Sequence, residues 1–519
     1  MKNYLILWLM LTGVLCGVIY AMTLCWDALM LSTVAILYLA SSIAALLVAN
    51  EMKRPKIKEY HRQKALYPKI PEEYLYDTPP TGGMVFGMDY HTNKLVGQEG
   101  HHTLIIGSTG SGKTSCSLLP SILSNTKGSA QVVDIKAREL ALKASDIYDP
   151  KTIIIDLDRK APYAYGWDVF YKLKRDGTDT EQDALKVIRE VASIIIPKST
   201  SGDQFWSDSA RALFTGLSLY EICYVGNYEF IDVLGTLMTV PLRDHIDMAL
   251  RTCPRSSLVS SYLTSLSTVA DETLFSADIS MCTLLYEYMA EEIVWSLRDN
   301  PKRANPQMLN EEGVKQFLCI SEEKLDSGFS RLMNVIMKQT LVEIQSRSST
   351  GTNVPICLYW DEYMKLTESC DDLRAATCSF LKTARSKNCA LTMVMQNIDR
   401  FDKQMAFDII SNVHFLLILS SNNSASLTTE IATKMAGSYY ERNVSFSENN
   451  GSSTTTSFAE KPVLKPEDLN NLGDDAVLII TNYGYVRVNK SNVAYYKHPF
   501  FKPKYERIIA VNREAMGDV

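Results

Sequence analysis

At 519 residues the chain has room for about three domains, and 46% hydrophobic residues supply large cores. A net charge of −6 excludes a globally basic nucleic-acid coat, so any DNA contact falls to a local surface such as a channel wall. The 11 cysteines are scattered and never spaced C-x-x-C, which argues against a zinc site and fits reduced core thiols in a cytosolic domain.

From the N-terminus, Tyr4–Trp26 carries no charge, Asp27 interrupts, and Ala28–Asn50 is again uncharged. Each run exceeds the roughly 20 residues that cross a bilayer, so 1–52 is predicted as a transmembrane hairpin of two spans. Lys53, Arg54, Lys56, Lys58, Arg62, Lys64 and Lys69 follow, against Glu51 and Glu59. By the positive-inside rule this places both termini in the cytoplasm of a bacterium, the anchor in its plasma membrane, and lipid among the partners. Residues 53–80 read as a basic, then Pro-rich, linker. Gly82–Gly97 has the short apolar pieces and turn residues of a β-hairpin.

Thr103–Ile106 is a buried-strand run, and Gly107-Ser108-Thr109-Gly110-Ser111-Gly112-Lys113-Thr114 fits G-x-x-x-x-G-K-[ST] in full. Glycines let successive N–H groups curl round phosphate oxygens. The helix that follows, opening near Ser115, adds its positive end. Lys113 is expected to reach the β- and γ-phosphates of ATP, and Thr114 to ligate Mg²⁺. Pro120 should kink or shorten that helix. Ala130–Ile135 and Ile153–Leu157 read as further buried strands, and strands alternating with helices argue for a parallel α/β sheet.

From 181 to 350 the strand signal nearly vanishes, so an all-helical domain is predicted, inserted between the two parts of the nucleotide domain, 81–180 and 351–500. Trp206, Ala210, Leu213 and Leu217 share one helical face near its start. The sheet returns at Pro355–Trp360 and ends in Asp361-Glu362. Asp361 would hold Mg²⁺, and Glu362 would polarise the attacking water. Leu373–Lys387 reads as a helix ending in Arg385, and Leu391–Met395 as a strand ending at Gln396. The amide can sense a γ-phosphate; the arginine can reach a neighbouring subunit's site as a finger. Phe415–Leu419, Ala476–Thr481 and Tyr485–Val488 read as further strands. Glu441–Lys461 reads as a polar, low-complexity loop, and 501–519 as a tail without chemistry.

Loop and order together resemble the type IV coupling proteins, ATPases that deliver DNA and protein to conjugation and secretion machines. The resemblance rests on GSTGSGKT with Pro120 behind it, VVDIKARE (Val132–Glu139) and FWSDSAR (Phe205–Arg211). It rests also on YWDEYMKL (Tyr359–Leu366), LKTARSKNCALTMVMQN (Leu381–Asn397) and KPEDLNNL (Lys465–Leu472). It implies a RecA-like ATPase domain and a homo-hexameric ring with sites between subunits, Arg385 acting from the neighbour. It implies single-stranded DNA bound to a relaxase as cargo, protein substrates beside it, and a type IV secretion channel as the recipient. Two departures stand out. Tyr165–Phe170 replaces an N-P-L-like piece, and the outer hairpin is too short to dock outer channel parts. Two other readings share the ATPase core. One is a double-stranded DNA translocase, for whose winged-helix reader the C-terminal tail is too short. The other is an adaptor for secreted proteins that uses nucleotide only to assemble, which intact Lys113, Asp361, Glu362 and Gln396 argue against.

Overall fold

The structure, a computed structural model, describes residues 12–20, 36–43, 67–197, 204–325, 328–349, 351–368, 370–399, 401–420, 426–447, 453–470 and 472–516. The chain divides into two units, Gln63–Ser438 with Pro462–Val519, and Met1–Arg62 with Tyr439–Lys461. The described strands, in chain order, are β1 (Leu75–Tyr76), β2 (Gly83–Met88), β3 (Leu95–Glu99), β4 (Thr103–Ile106), β5 (Ser129–Asp134), β6 (Thr152–Asp156), β7 (Gly166–Trp167), β8 (Arg303–Ala304), β9 (Lys315–Cys319), β10 (Ile356–Trp360), β11 (Cys389–Met395), β12 (Phe415–Ile418), β13 (Ser438–Ser447), β14 (Ser453–Pro462), β15 (Asp475–Ile480) and β16 (Gly484–Asn489).

The larger unit is built on one sheet in the order β1-β3-β2-β16-β15-β12-β4-β11-β10-β5-β9-β6. From β12 to β6 every neighbouring pair is parallel, and the remainder is antiparallel. Parallel strands need crossovers, and helices supply them: Leu119–Ser124 between β4 and β5, Glu139–Ala144 between β5 and β6, Gly328–Ser346 between β9 and β10, Asp371–Thr383 between β10 and β11. Helices on both faces leave β4, β5, β6, β10 and β11 buried along their whole length, which is why these strands read as unbroken apolar runs. Alternation assigns the faces. Val132 packs with Leu118, Ile122 and Leu140 on one side. Gln131, one residue earlier, turns to the other and donates to Thr340 Oγ1 (2.7 Å) on Gly328–Ser346. The C-terminal stretch is helical over Phe501–Val511. Beyond it Asn512 is buried and donates to the Leu142 and Ser145 carbonyls (2.8 Å each), which fastens the tail to the first face.

Between β7 and β8 the chain forms a helical module around Gln204–Tyr220, packed by Glu181–Ile195, Leu258–Ser267 and Asp271–Leu285. Thr180 and Asp183 close a reciprocal capping box on Glu181–Ile195. Gly216 lets a neighbouring helix close in: a Cβ there would stand 2.7 Å from Leu263 Cδ2. Ala210, Leu213 and Leu217 are buried, as their shared face requires.

Three expectations are corrected. The two spans, the plasma-membrane placement and the lipid partner drawn from them do not stand, since among the described residues no helix is long and apolar enough to cross a membrane. The described helical pieces there are 12–20 and 36–43. At about 1.5 Å per residue each is far short of a ~30 Å hydrocarbon core, and the rest of both runs lies outside the described residues. An uncharged run is necessary for a span but does not by itself make a continuous helix. Second, the stretch 181–350 is not wholly helical, because β8 and β9 lie in it and β9 pairs between β5 and β6. Third, the polar segment 441–461 carries parts of β13 and β14, which form a two-stranded sheet; Ser and Thr composition signals a loop, yet Thr and Tyr also suit a pleated backbone.

Candidate functional site

At the end of β4 the chain must turn sharply without side-chain bulk. A Cβ on Gly107 would run into Ser111 Oγ and stand 3.0 Å from Leu419 Cβ. Gly110 and Gly112 hold φ of +77° and +96°, which an L side chain resists. The helix then opens with a wide turn over Lys113–Leu118, its Leu119 N–H reaching back to the Thr114 carbonyl, before regular winding over Leu119–Ser124. Pro120 explains this form: it has no N–H for the bond to residue 116, so the wide turn ends where the proline can begin a fresh α segment.

Lys113 is buried. Its ammonium donates to the Gly107 and Ser108 carbonyls (2.7 and 3.3 Å) and stands 3.8 Å from Glu362 Oε1. Burial pushes its pKa down, while the Glu362 and Asp361 carboxylates push it back up. The acidic pair follows β10. Asp361 is 1% exposed; its Oδ1 accepts the Glu362 N–H (3.0 Å), and desolvation pushes its pKa up to about 6. Glu362 adopts the left-handed region, φ +48°. That conformation turns its carboxylate toward Lys113 and toward Gln396 Nε2, which donates to Oε1 at 3.4 Å. Strand order makes the meeting possible. β5, β10, β11 and β4 are successive neighbours in register, Val133 beside Trp360, Trp360 beside Met393 and Met395 beside Ile106. The residues just past their C-terminal ends therefore share one edge.

That edge bounds a cavity of about 400 Å³ lined by the loop, Glu362 and Gln396. The loop side chains and backbone at Ser108, Thr109, Gly110, Gly112, Lys113, Thr114 and Ser115 all face it, while Gly107 and Ser111 shape the turn beneath. The sequence reading passed over three lining residues, Lys136, Glu322 and Tyr495. Lys136 was written in VVDIKARE without a role. Its Nζ lies 3.7 Å from Asp361 Oδ2 and 3.5 Å from Thr114 Oγ1. Tyr495 belongs to the stretch expected to carry no chemistry, and its N–H donates to the Ser115 carbonyl (3.1 Å).

Arg385 is not with them. It lies exposed in the turn Ala384–Lys387 that precedes β11, whereas Gln396 follows that strand. The seven residues of β11 between them span about 23 Å. The guanidinium instead sits near His101, His102 and His414. Burial first, and the arginine's charge with it, hold His101 and His102 down at about 4 and His414 below its ordinary value.

Solved structures of similar fold are the bacterial conjugative coupling protein TrwB in an unbound form (15% identity, 75% of this chain and 84% of that one, TM-score 0.57) and TrwB in two complexes. One holds the non-hydrolysable ATP analogue ADPNP (16%, 78% and 88%, TM-score 0.58); the other holds ADP and Mg²⁺ (16%, 78% and 88%, TM-score 0.56). At such identity the likeness speaks to the fold, a mixed α/β architecture on a mostly parallel sheet. No curated protein sequence matches the chain. The family model of the type IV secretion-system coupling protein DNA-binding domain matches residues 94–490. That span runs from β3 through the loop, the helical module and the acidic strand to the end of β16, and the chain belongs to the type IV secretion-system coupling protein family.

Proposed function

We propose that the chain is a coupling ATPase that drives relaxase-bound single-stranded DNA, and protein substrates with it, into a type IV secretion channel. The observation that carries the reading is the convergence of Lys113, Thr114, Asp361, Glu362 and Gln396 on one cavity at the ends of three adjacent strands. The residues fit a magnesium nucleotide. The loop has no room for a Cβ at Gly107 and two glycines at positive φ, so its backbone can wrap phosphates. Thr114 and Asp361 are the oxygen donors such an ion takes, and a carboxylate kept from water as Asp361 is calls for a cation. The ion, when bound, supplies charge neutralisation between the phosphates. The TrwB complexes with ADPNP and with ADP and Mg²⁺ support this assignment.

The chain's own residues divide the work. Lys113 carries a positive charge to the phosphates once it leaves the Gly107 and Ser108 carbonyls. Glu362, held between Lys113 and Gln396, accepts a proton from the attacking water. Gln396 orients that carboxylate. Arg385 faces away from its own cavity, which supports a role in the site of a neighbouring subunit of a homo-hexamer. The family's DNA-binding designation supports DNA as the cargo.

The test is ATP turnover by the full chain with no DNA, with single strands and with duplex, with Glu362→Gln as the blank. Stimulation mainly by single strands supports the coupling reading. Stimulation mainly by duplex points to a double-stranded DNA translocase and overturns it.

A further inference from the structure

The turn after β5 is heavily anchored for a surface segment. Asp134 is buried at the strand's end and accepts the N–H groups of Lys136, Leu140 and Ala141 (3.1, 2.7 and 3.2 Å). Ala137 and Arg138 both hold positive φ, +49° and +75°, a conformation that costs roughly 1 kcal/mol or more for each non-glycine residue. The Ala137 N–H donates to the Ile320 carbonyl (3.2 Å). Arg138 folds inward, 2% exposed, and donates to Asp156 Oδ2 and Tyr163 OH (3.2 and 3.0 Å). Strain held by that many contacts marks a turn whose shape matters. The cation it delivers to the cavity is Lys136, 38% exposed at its side chain.

Lys136 Nζ lies between Asp361 Oδ2 (3.7 Å) and Thr114 Oγ1 (3.5 Å), the two groups that would hold the divalent ion. Lys113 is engaged elsewhere, on loop carbonyls. We infer that Lys136 is a built-in stand-in for Mg²⁺: it neutralises Asp361 while no metal is present, and the metal must displace it. Lys136 therefore sets the Mg²⁺ concentration at which nucleotide is held. The inference rests on the nucleotide-binding reading above. Its physical content is competition, since two cations within a few ångströms in a half-buried site repel strongly.

Competition has a signature that a merely structural residue lacks. Without Lys136 and without Mg²⁺, incoming phosphates meet an uncompensated carboxylate, so nucleotide binds more weakly. Without Lys136 but with Mg²⁺, the metal finds its carboxylate unoccupied, so less Mg²⁺ suffices. The experiment is anisotropy of a fluorescent ADP analogue on the full chain, in EDTA and across a Mg²⁺ series, for wild type, Lys136→Met, Lys136→Gln and Lys136→Arg. The neutral variants should weaken binding in EDTA and lower the Mg²⁺ half-point, each on the order of tenfold, the scale on which outer-shell groups tune metal affinity. Lys136→Arg keeps the charge and should follow wild type. Two neutral variants keep the test decisive if one of them folds poorly. Equal weakening with and without Mg²⁺, or no change in the half-point, overturns the inference while leaving nucleotide binding standing. A wild type that binds no nucleotide at any Mg²⁺ overturns the underlying reading, and the inference falls with it.

Discussion

Arg138→Met tests whether the turn that carries Lys136 is held from beneath. The guanidinium lies 3.2 Å from Asp156 Oδ2, with side-chain exposures of 2% and 0%. At an effective dielectric constant near 20, unit charges at that distance attract by about 5 kcal/mol. Both were stripped of water to meet, so the net worth of the pair is far smaller. What one substitution reveals is the stranded partner. A buried carboxylate that loses its only cation costs about 3–5 kcal/mol, and Tyr163 loses a donor at 3.0 Å as well. The double variant Arg138→Met with Asp156→Asn leaves no charge to strand, so it should recover about 2 kcal/mol or more of the loss. Urea unfolding of wild type, both single variants and the double variant measures the cycle. Hydrogen exchange at Ala137–Glu139 reads the turn directly and should speed in Arg138→Met. If Asp156→Asn adds its cost to that of Arg138→Met instead of offsetting it, the pair is not the clamp described here.

Glu362→Gln should bind the ADP analogue like wild type and turn ATP over about 10²-fold slower or worse, the scale of a lost general base; unchanged turnover would remove that role. Lys113→Ala should weaken nucleotide binding, because no other group reaches its position between Gly107 and Glu362. Arg385→Ala subunits mixed with Lys113→Ala subunits should recover activity that neither has alone; a flat mixing curve would count against action in trans. His102 is 5% exposed and its pKa is held down at about 4. Its unfolded form takes a proton near 6.5 and its folded form does not, so stability should be full above about 6.5 and fall as pH drops toward 4, by about 3 kcal/mol in all. Melts of His102→Gln across that window should be flatter; an unchanged profile would assign the loss to other groups.

The parallel half of the sheet was legible because burial on both faces leaves its mark residue by residue. β4, β5, β6 and β10 are apolar runs ending where chemistry begins, at Gly107, Asp134, Asp156 and Asp361. β9 escaped because Lys315 and Gln316 open it; its place between β5 and β6 depends on strand pairing across nearly two hundred residues. The glycine loop was legible for a local reason: its spacing is its chemistry. Lys136 was not, because its meaning comes from β10 lying next to β5, which no spacing in the chain records. The uncharged N-terminal runs misled in the opposite direction, since composition permitted spans that the described helices are too short to make.

The same strand geometry separates Arg385 from the cavity and gives that separation a use. Seven neighbouring strands run one way, so their C-terminal ends gather the loop, Lys136, Asp361, Glu362 and Gln396 on one edge. Their N-terminal ends gather His101, His102, His414 and Arg385 on the other. His101 and His414 stack with centroids 4.5 Å apart, and Tyr74 OH meets His414 Nε2 at 3.1 Å. Burial keeps these rings neutral near pH 7, and Arg385 disfavours their protonation further. Glu73 is the acid that acts on the same rings in the opposite sense. An arginine wanted only for stability would be expected to close on that carboxylate in a buried pair, as Arg138 does on Asp156. Arg385 instead stays exposed on an edge whose histidines are uncharged. A ring that brings this edge against the cavity of the next subunit would complete both at once, and the mixing experiment asks whether such a ring forms.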